Sequence, residues 1–177
     1  DIRKVNAESL LMQTGLQKGE LDLLDGSPPC SSFSVSGNRE KDWGEVKHYS
    51  DTNQRTDDLF IEFIRLVNGV QPKVFVAENV YGLIMGTSKG MFIEFIQRMK
   101  ACGYRVKAVL LDSQWLGVPQ TRKRIFFVGV RNDLKKEPVF PKPLPYKYSI
   151  REAFGGQDEI RDDTLADTWY SLQDENG

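Results

Sequence analysis

The 177-residue chain is 40% hydrophobic and 28% charged, with 15 glycines, 8 prolines and a net charge of −1. That composition suits one globular domain, or a large piece of one, and excludes disordered, collagen-like and low-complexity chains. No apolar run approaches the roughly 20 residues that span a bilayer, and two cysteines with one histidine build neither a disulfide framework nor a four-ligand zinc site.

The start carries no signal-peptide pattern, so the expectation is a soluble, intracellular protein with no metal and no membrane partner. Its charge is unevenly spread. Residues 1–151 hold 23 basic and 17 acidic side chains, a net of +6, whereas residues 152–177 carry −7. The basic excess is densest at Arg122, Lys123, Arg124, Arg131, Lys135 and Lys136. Such a patch can meet phosphates, or it can be an ordinary solvated surface.

In chain order, Leu21-Asp22-Leu23-Leu24-Asp25 is a short apolar run that enters Gly26-Ser27-Pro28-Pro29, and reads as a strand followed by a loop. Ser31 to Arg55 is polar and aperiodic, the composition of a long, lid-like loop. Thr56-Asp57-Asp58 gives a helix start by capping and by acids at the positive end of the helix dipole. Leu59, Phe60, Phe63, Ile64 and Val67 follow at helical spacing, and Gly69 and Pro72 are expected to stop that helix. Lys73 to Ala77 lacks polar alternation, as a strand buried on both faces of a parallel sheet would. Met91, Phe92, Phe95, Ile96 and Met99 form a second helical stripe closed by Cys102-Gly103. Tyr104–Leu111 and Ile125–Val130 read as two more strands, and four prolines between 138 and 145 lead out of the sheet. The order β–α–β–α–β–β predicts an α/β fold, a sheet with helices on both faces.

Ligands of open α/β sheets bind beyond the carboxyl ends of the strands. Cys30 and Glu78 both fall there, on different strands. Cys30 follows two prolines, which stiffen the backbone that carries the sulfur; it is either a nucleophile or a packing residue. Cys102, at the end of an apolar helix, reads as structural. A phosphatase-type loop would need an arginine six positions after Cys30, where Ser36 stands. A cysteine protease would need a histidine base, and His48 lies in a polar loop. What remains is a thiol working with a carboxyl group and arginines. Glu78, at the end of an apolar strand, can serve as a proton donor or as the partner of a neighbouring arginine. Gln120, Arg122 and Arg124 alternate just before a strand, and spacing two turns both arginines to one side.

Together these residues resemble the DNA cytosine-5 methyltransferase family. Gly26-Ser27-Pro28-Pro29-Cys30 with Phe33-Ser34 and Gly37 is similar to its catalytic loop. Glu78-Asn79-Val80 resembles its Glu-Asn-Val motif, and Gln120-Thr121-Arg122-Lys123-Arg124 its Gln-x-Arg-x-Arg motif. Three motifs in the family's order are far more specific than one. Ser31 departs from the pattern, which usually has glutamine.

The resemblance implies a partial Rossmann-like fold that uses S-adenosylmethionine as methyl donor and double-stranded DNA as substrate, with the target cytosine flipped out of the duplex. It implies that Cys30 adds to C6 of the base, Glu78 engages N3, Arg124 holds O2 and Arg122 supports the loop. It implies cofactor contacts from Asp1, Ile2, Pro29 and Leu59, and DNA contacts from Ser34, Arg39 and Gln120. It makes residues 1–150 a partial catalytic domain and 151–177 the start of a target-recognition region. The family's Gly-rich cofactor loop has no counterpart in the sequence, so the chain is expected to begin partway through the fold and to turn over poorly alone. The implied setting is the bacterial cytoplasm, within restriction–modification, or the nucleus if the source is eukaryotic. Two other readings fit the same fold: a transfer-RNA cytosine methyltransferase and a non-catalytic binding module.

Overall fold

A computed structural model describes residues 1–29, 47–49, 52–54, 58–147 and 149–153. Asp1 accepts from the Arg3 amide and guanidinium at the head of a 3-10 turn, Ile2–Lys4. Helix α1 (Ala7–Thr14) begins where the Asn6 side chain accepts from the Glu8 amide at 2.8 Å, and ends on Gly15 at φ 68°. Strand β1 (Leu23–Gly26) follows. Strands β2 (Lys47–Tyr49) and β3 (Thr52–Gln54) pair antiparallel as a two-stranded ribbon inside the stretch read as a continuous loop. Then come α2 (Asp58–Val70), β4 (Val74–Val80), α3 (Lys89–Ala101), β5 (Tyr104–Asp112), β6 (Lys123–Arg131) and a last turn, α4 (Ile150–Ala153). The chain divides into two compact units, Asp1–Leu111 with Lys123–Phe140, and Asp112–Arg122 with the chain from Pro141.

The four-stranded sheet has the order β1-β4-β6-β5. β1 runs parallel to β4, Leu23 opposite Val74 and Gly26 opposite Ala77. β6 runs antiparallel to β4, Val80 opposite Arg124 and Glu78 opposite Phe126. The sheet is thus mixed. Residues alternate sides along a strand, and β4 obeys this strictly. Phe75, Ala77 and Asn79 are buried; Val74, Val76, Glu78 and Val80 on the other face are only half-buried. The uniform apolar run therefore marks a central strand with one sealed face, not a strand sealed on both.

The sealed face packs Phe75, Ala77, Ile125 and Phe127 against Phe60, Phe63, Ile64 and Val67 of α2 and Phe95 and Met99 of α3. Phe60 stacks on Phe95 with centroids 4.3 Å apart and meets Phe127 edge-on at 5.3 Å. Phe60, Phe75, Phe95 and Phe127 are fully buried. Each such side chain contributes about 1.5–3 kcal/mol of transfer free energy.

Gly69 does not stop α2. The helix runs on to Val70 and ends where Gln71 takes a left-handed conformation (φ 54°) ahead of Pro72. Gly69 is instead where α1 closes on α2: a β-carbon there would lie 2.4 Å from that of Ala7. Two further ties hold this unit. The buried Tyr104 hydroxyl donates to the Pro72 carbonyl at 2.6 Å. Arg131 pairs with Asp133 and donates to the carbonyls of Gly19 and Gln71.

Candidate active site

The parallel register of β1 and β4 brings two motifs to one sheet end. Gly26 lies opposite Ala77, so the Ser27-Pro28-Pro29 turn leaves its strand beside Glu78. Asn79, 2% exposed, sends its Nδ2 to the Pro28 carbonyl at 3.4 Å, while its Oδ1 accepts from the Val80 amide. A buried side-chain amide needs such partners; here the partner is the backbone two residues before Cys30. Sequence reasoning treated Asn79 only as part of a motif. Its signal was a polar residue in a strand of otherwise apolar character. Cys30 itself, with Ser34 and Arg39, lies outside the described residues, as do Thr56 and Asp57 of the expected helix start.

On the neighbouring strand, Arg124 faces Glu78. Its Nε donates to Glu78 Oε1 at 2.8 Å and its Nη1 to the Lys123 carbonyl at 2.9 Å. Both side chains are about three-quarters buried. Of the two roles open to Glu78, this geometry displays the arginine pairing. The pair needs the antiparallel register, which sets Arg124 opposite Val80 and on the same face as Glu78.

Arg122 and Arg124 are not a matched pair. Arg124 sits within β6, engaged by Glu78. Arg122 precedes the strand and belongs to the second unit, with an exposed side chain, as does Gln120. In that unit the loop between β5 and β6 is tied to itself. The Asp112 carboxylate accepts from the backbone N–H of Arg122 at 3.2 Å and from Gln114 Nε2 at 2.7 Å. Ser113 Oγ donates to the Gln120 carbonyl at 2.5 Å.

The positions expected to meet a cofactor are only partly suited to one. Arg65 of α2 donates to the carbonyls of Ile2 and Val5 at 3.0 and 2.9 Å, so the N-terminal turn and the helix carrying Leu59 touch directly. Ile2 and Leu59 are half-buried and Pro29 is exposed, apolar side chains of the kind an aromatic ring packs against. The Asp1 carboxylate already accepts from Arg3.

Several of the basic side chains are neutralised locally. Arg131 pairs with Asp133, whose carboxyl it holds below the usual range, and Arg105 and Lys107 pair with Glu137. Cys102 is half-buried, and burial pushes its thiol up, as suits a structural cysteine. Among the described residues no three His, Cys, Asp or Glu side chains gather as a metal site, and no helix is long and apolar enough to cross a membrane.

Residues 1–176 match the model of the C-5 cytosine-specific DNA methylase family. The chain is 31% identical over 174 residues to the type II methyltransferase M.NgoPII of Neisseria gonorrhoeae, covering 98% of this chain and 43% of that protein. It is 32% identical over 176 residues to the type II methyltransferase M.FnuDI of Fusobacterium nucleatum, covering 99% and 44%. Its fold is similar to that of an Escherichia coli structure described as a DNA modification methyltransferase encoded within a prophage. The TM-score is 0.65 at 24% identity, over 88% of this chain and 40% of that one. The chain thus spans less than half the length of the relatives it matches. The three motifs in the sequence and the family match over nearly the whole chain lead to one conclusion: the chain belongs to the C-5 cytosine-specific DNA methylase family.

Proposed function

We propose that the full-length protein transfers a methyl group from S-adenosylmethionine to C5 of cytosine in double-stranded DNA, and that this chain carries its nucleophile and its base-holding groups. The observation that carries this reading is the Glu78–Arg124 pair, 2.8 Å apart at the sheet end from which Ser27-Pro28-Pro29 departs.

The Cys30 thiolate forms a bond to C6 of a flipped cytosine, and the electron pair displaced from the C5–C6 bond makes C5 nucleophilic. Glu78 gives a proton or a hydrogen bond to N3, so that negative charge does not accumulate on the ring. Arg124 orients the Glu78 carboxyl and turns the rest of its guanidinium to the base O2, where a planar fork suits an oxygen acceptor. S-adenosylmethionine, when bound, supplies an electrophilic methyl group, and Ile2, Pro29 and Leu59, beside Asp1, would hold its adenine. C5 then loses its proton to a solvent base, the C6–sulfur bond breaks to release the Cys30 thiolate, and N3 returns its proton to Glu78. Arg122 supports the backbone around the base, while Ser34, Arg39 and Gln120 meet the DNA. Residues 1–150 serve as part of the catalytic domain and 151–177 begin target recognition. This chain alone turns over poorly, because the family's Gly-rich cofactor loop is not among its residues.

The test is covalent trapping on duplex DNA containing 5-fluorocytosine, whose C5 holds no proton to lose, using the full-length protein with cofactor. A cofactor-dependent adduct that vanishes in Cys30→Ser supports the reading. No adduct favours a binding module, and faster methyl transfer to tRNA than to DNA moves the substrate to RNA.

A further inference from the structure

We propose that Asp112 is a positioning residue that presents Gln120, Thr121 and Arg122 to the substrate, an inference that rests on the methyl-transfer reading above. Asp112 ends β5, and the ten residues from Ser113 to Arg122 form the connection to β6, a 3-10 turn (Ser113–Trp115) capped by Asp112 and then a loop. A loop of this length has many conformations, and ordering it costs about 1–2 kcal/mol per residue. The Asp112 carboxylate supplies much of that order. One oxygen accepts from the Arg122 backbone N–H at 3.2 Å and the Gln114 N–H at 3.4 Å; the other accepts from Gln114 Nε2 at 2.7 Å. Gln114 passes the constraint on, since its Oε1 accepts from Thr121 Oγ1 at 3.4 Å. Ser113 closes the far side, its N–H reaching the Arg122 carbonyl at 3.1 Å and its hydroxyl the Gln120 carbonyl at 2.5 Å.

Two of the Asp112 bonds go to Gln114; the bonds that reach the motif segment end on its backbone or on the Thr121 hydroxyl. None uses the side chains of Gln120 or Arg122, which stay exposed. A loop stabilised merely for its own sake could draw on the arginine as well, because an adjacent carboxylate is its strongest partner. Here the acid holds the arginine's backbone and leaves the guanidinium to the substrate. Carboxylates accepting backbone N–H groups form strong, directional anchors, and reacting groups displaced by about 1 Å lose roughly a hundredfold in rate.

The test is a double-mutant cycle in the full-length protein, read by methyl transfer to duplex DNA and by thermal unfolding. Asp112→Ala should lower kcat/KM for DNA roughly tenfold to a hundredfold, and Asp112→Asn, which keeps an oxygen acceptor for both N–H groups, should recover most of it. In an Arg122→Ala background, Asp112→Ala should cost little further transfer while still lowering the unfolding midpoint. That separates positioning from stability. Equal losses of transfer in both backgrounds, or an inert Asp112→Ala beside a damaging Arg122→Ala, overturn the inference. Cys30→Ser distinguishes the two levels: retained transfer there removes the catalytic reading itself, whereas abolished transfer with an additive cycle removes only the role of Asp112.

Discussion

Gly26→Ala is a one-carbon change with a consequence for both stability and chemistry. A β-carbon on Gly26 would lie 2.5 Å from Cε2 and 2.7 Å from Cδ2 of Phe63, about 1 Å inside the roughly 3.5–4.0 Å of ordinary carbon contact. Phe63 is 3% exposed and lies 6.2 Å, centroid to centroid, from both Phe60 and Phe75. A close-packed interior gives such a ring no room to retreat, so the end of β1 must move. Overpacking of this kind costs about 1–3 kcal/mol, and for a chain of this size each kcal/mol lowers Tm by about 2–4 °C. The displaced strand end carries the turn to Cys30, so a shift of about 1 Å should also cost roughly a hundredfold in methyl transfer. Thermal unfolding and single-turnover transfer by the full-length protein measure both. Phe63→Leu, which removes the crowding ring, should reduce the cost of the added methyl in the double variant by at least about 0.5 kcal/mol of coupling. A Gly26→Ala protein within about 0.5 kcal/mol of the parent and fully active would refute the reasoning.

Three more outcomes are expected. Arg124→Lys keeps the charge at the Glu78 pair but not the planar fork; transfer should fall at least tenfold, while stability changes by under about 1 kcal/mol, because the lysine leaves a cation beside the partly buried carboxylate. Tyr104→Phe should cost about 1 kcal/mol in urea unfolding near neutral pH by losing the bond to Pro72. Burial pushes the Tyr104 phenol up, with Arg131 opposing it more weakly. The unfolded chain therefore gives up this proton first, and the parent, unlike Tyr104→Phe, should lose this increment of stability as pH rises past about 10. Arg65→Ala, by freeing the carbonyls of Ile2 and Val5, should weaken calorimetric binding of S-adenosylhomocysteine several-fold while leaving DNA affinity unchanged.

Much of this fold was legible because apolar periodicity is a local property. The stripe from Leu59 to Val67, the run from Val74 to Ala77 and the strands at Tyr104 and Ile125 each announce one element, and each is present. What depends on partners was not. Gly69 has the composition of a helix stop and instead serves an inter-helix contact, visible only once Ala7 lies against it. Helix α1 has a clear cap at Asn6 and a clear end at Gly15, but its eight residues hold too short a pattern to stand out from the surrounding polar sequence. The antiparallel course of β6 leaves no trace in its own residues, yet it decides that Arg124 meets Glu78. Of the site, the residue types and their order were readable; the ties from Asn79 to Pro28 and from Asp112 to Arg122 were not, since both connect segments through backbone atoms that every sequence shares.

Glu78 and Asn79 are adjacent in sequence and serve opposite sides of one strand: a carboxyl on the half-open face, an amide in the sealed one. Their roles are therefore a matter of parity. Removing a single residue between Val74 and Ala77 would preserve both side chains, their order and the apolar character of the strand, yet it would turn the carboxylate into the phenylalanine core and the amide outward. The acid would then be buried away from Arg124, and the turn before Cys30 would lose its tether. Two residues could be removed with less harm than one. The constraint on this strand is an even count of positions leading to its acid, a property carried by no individual amino acid in it.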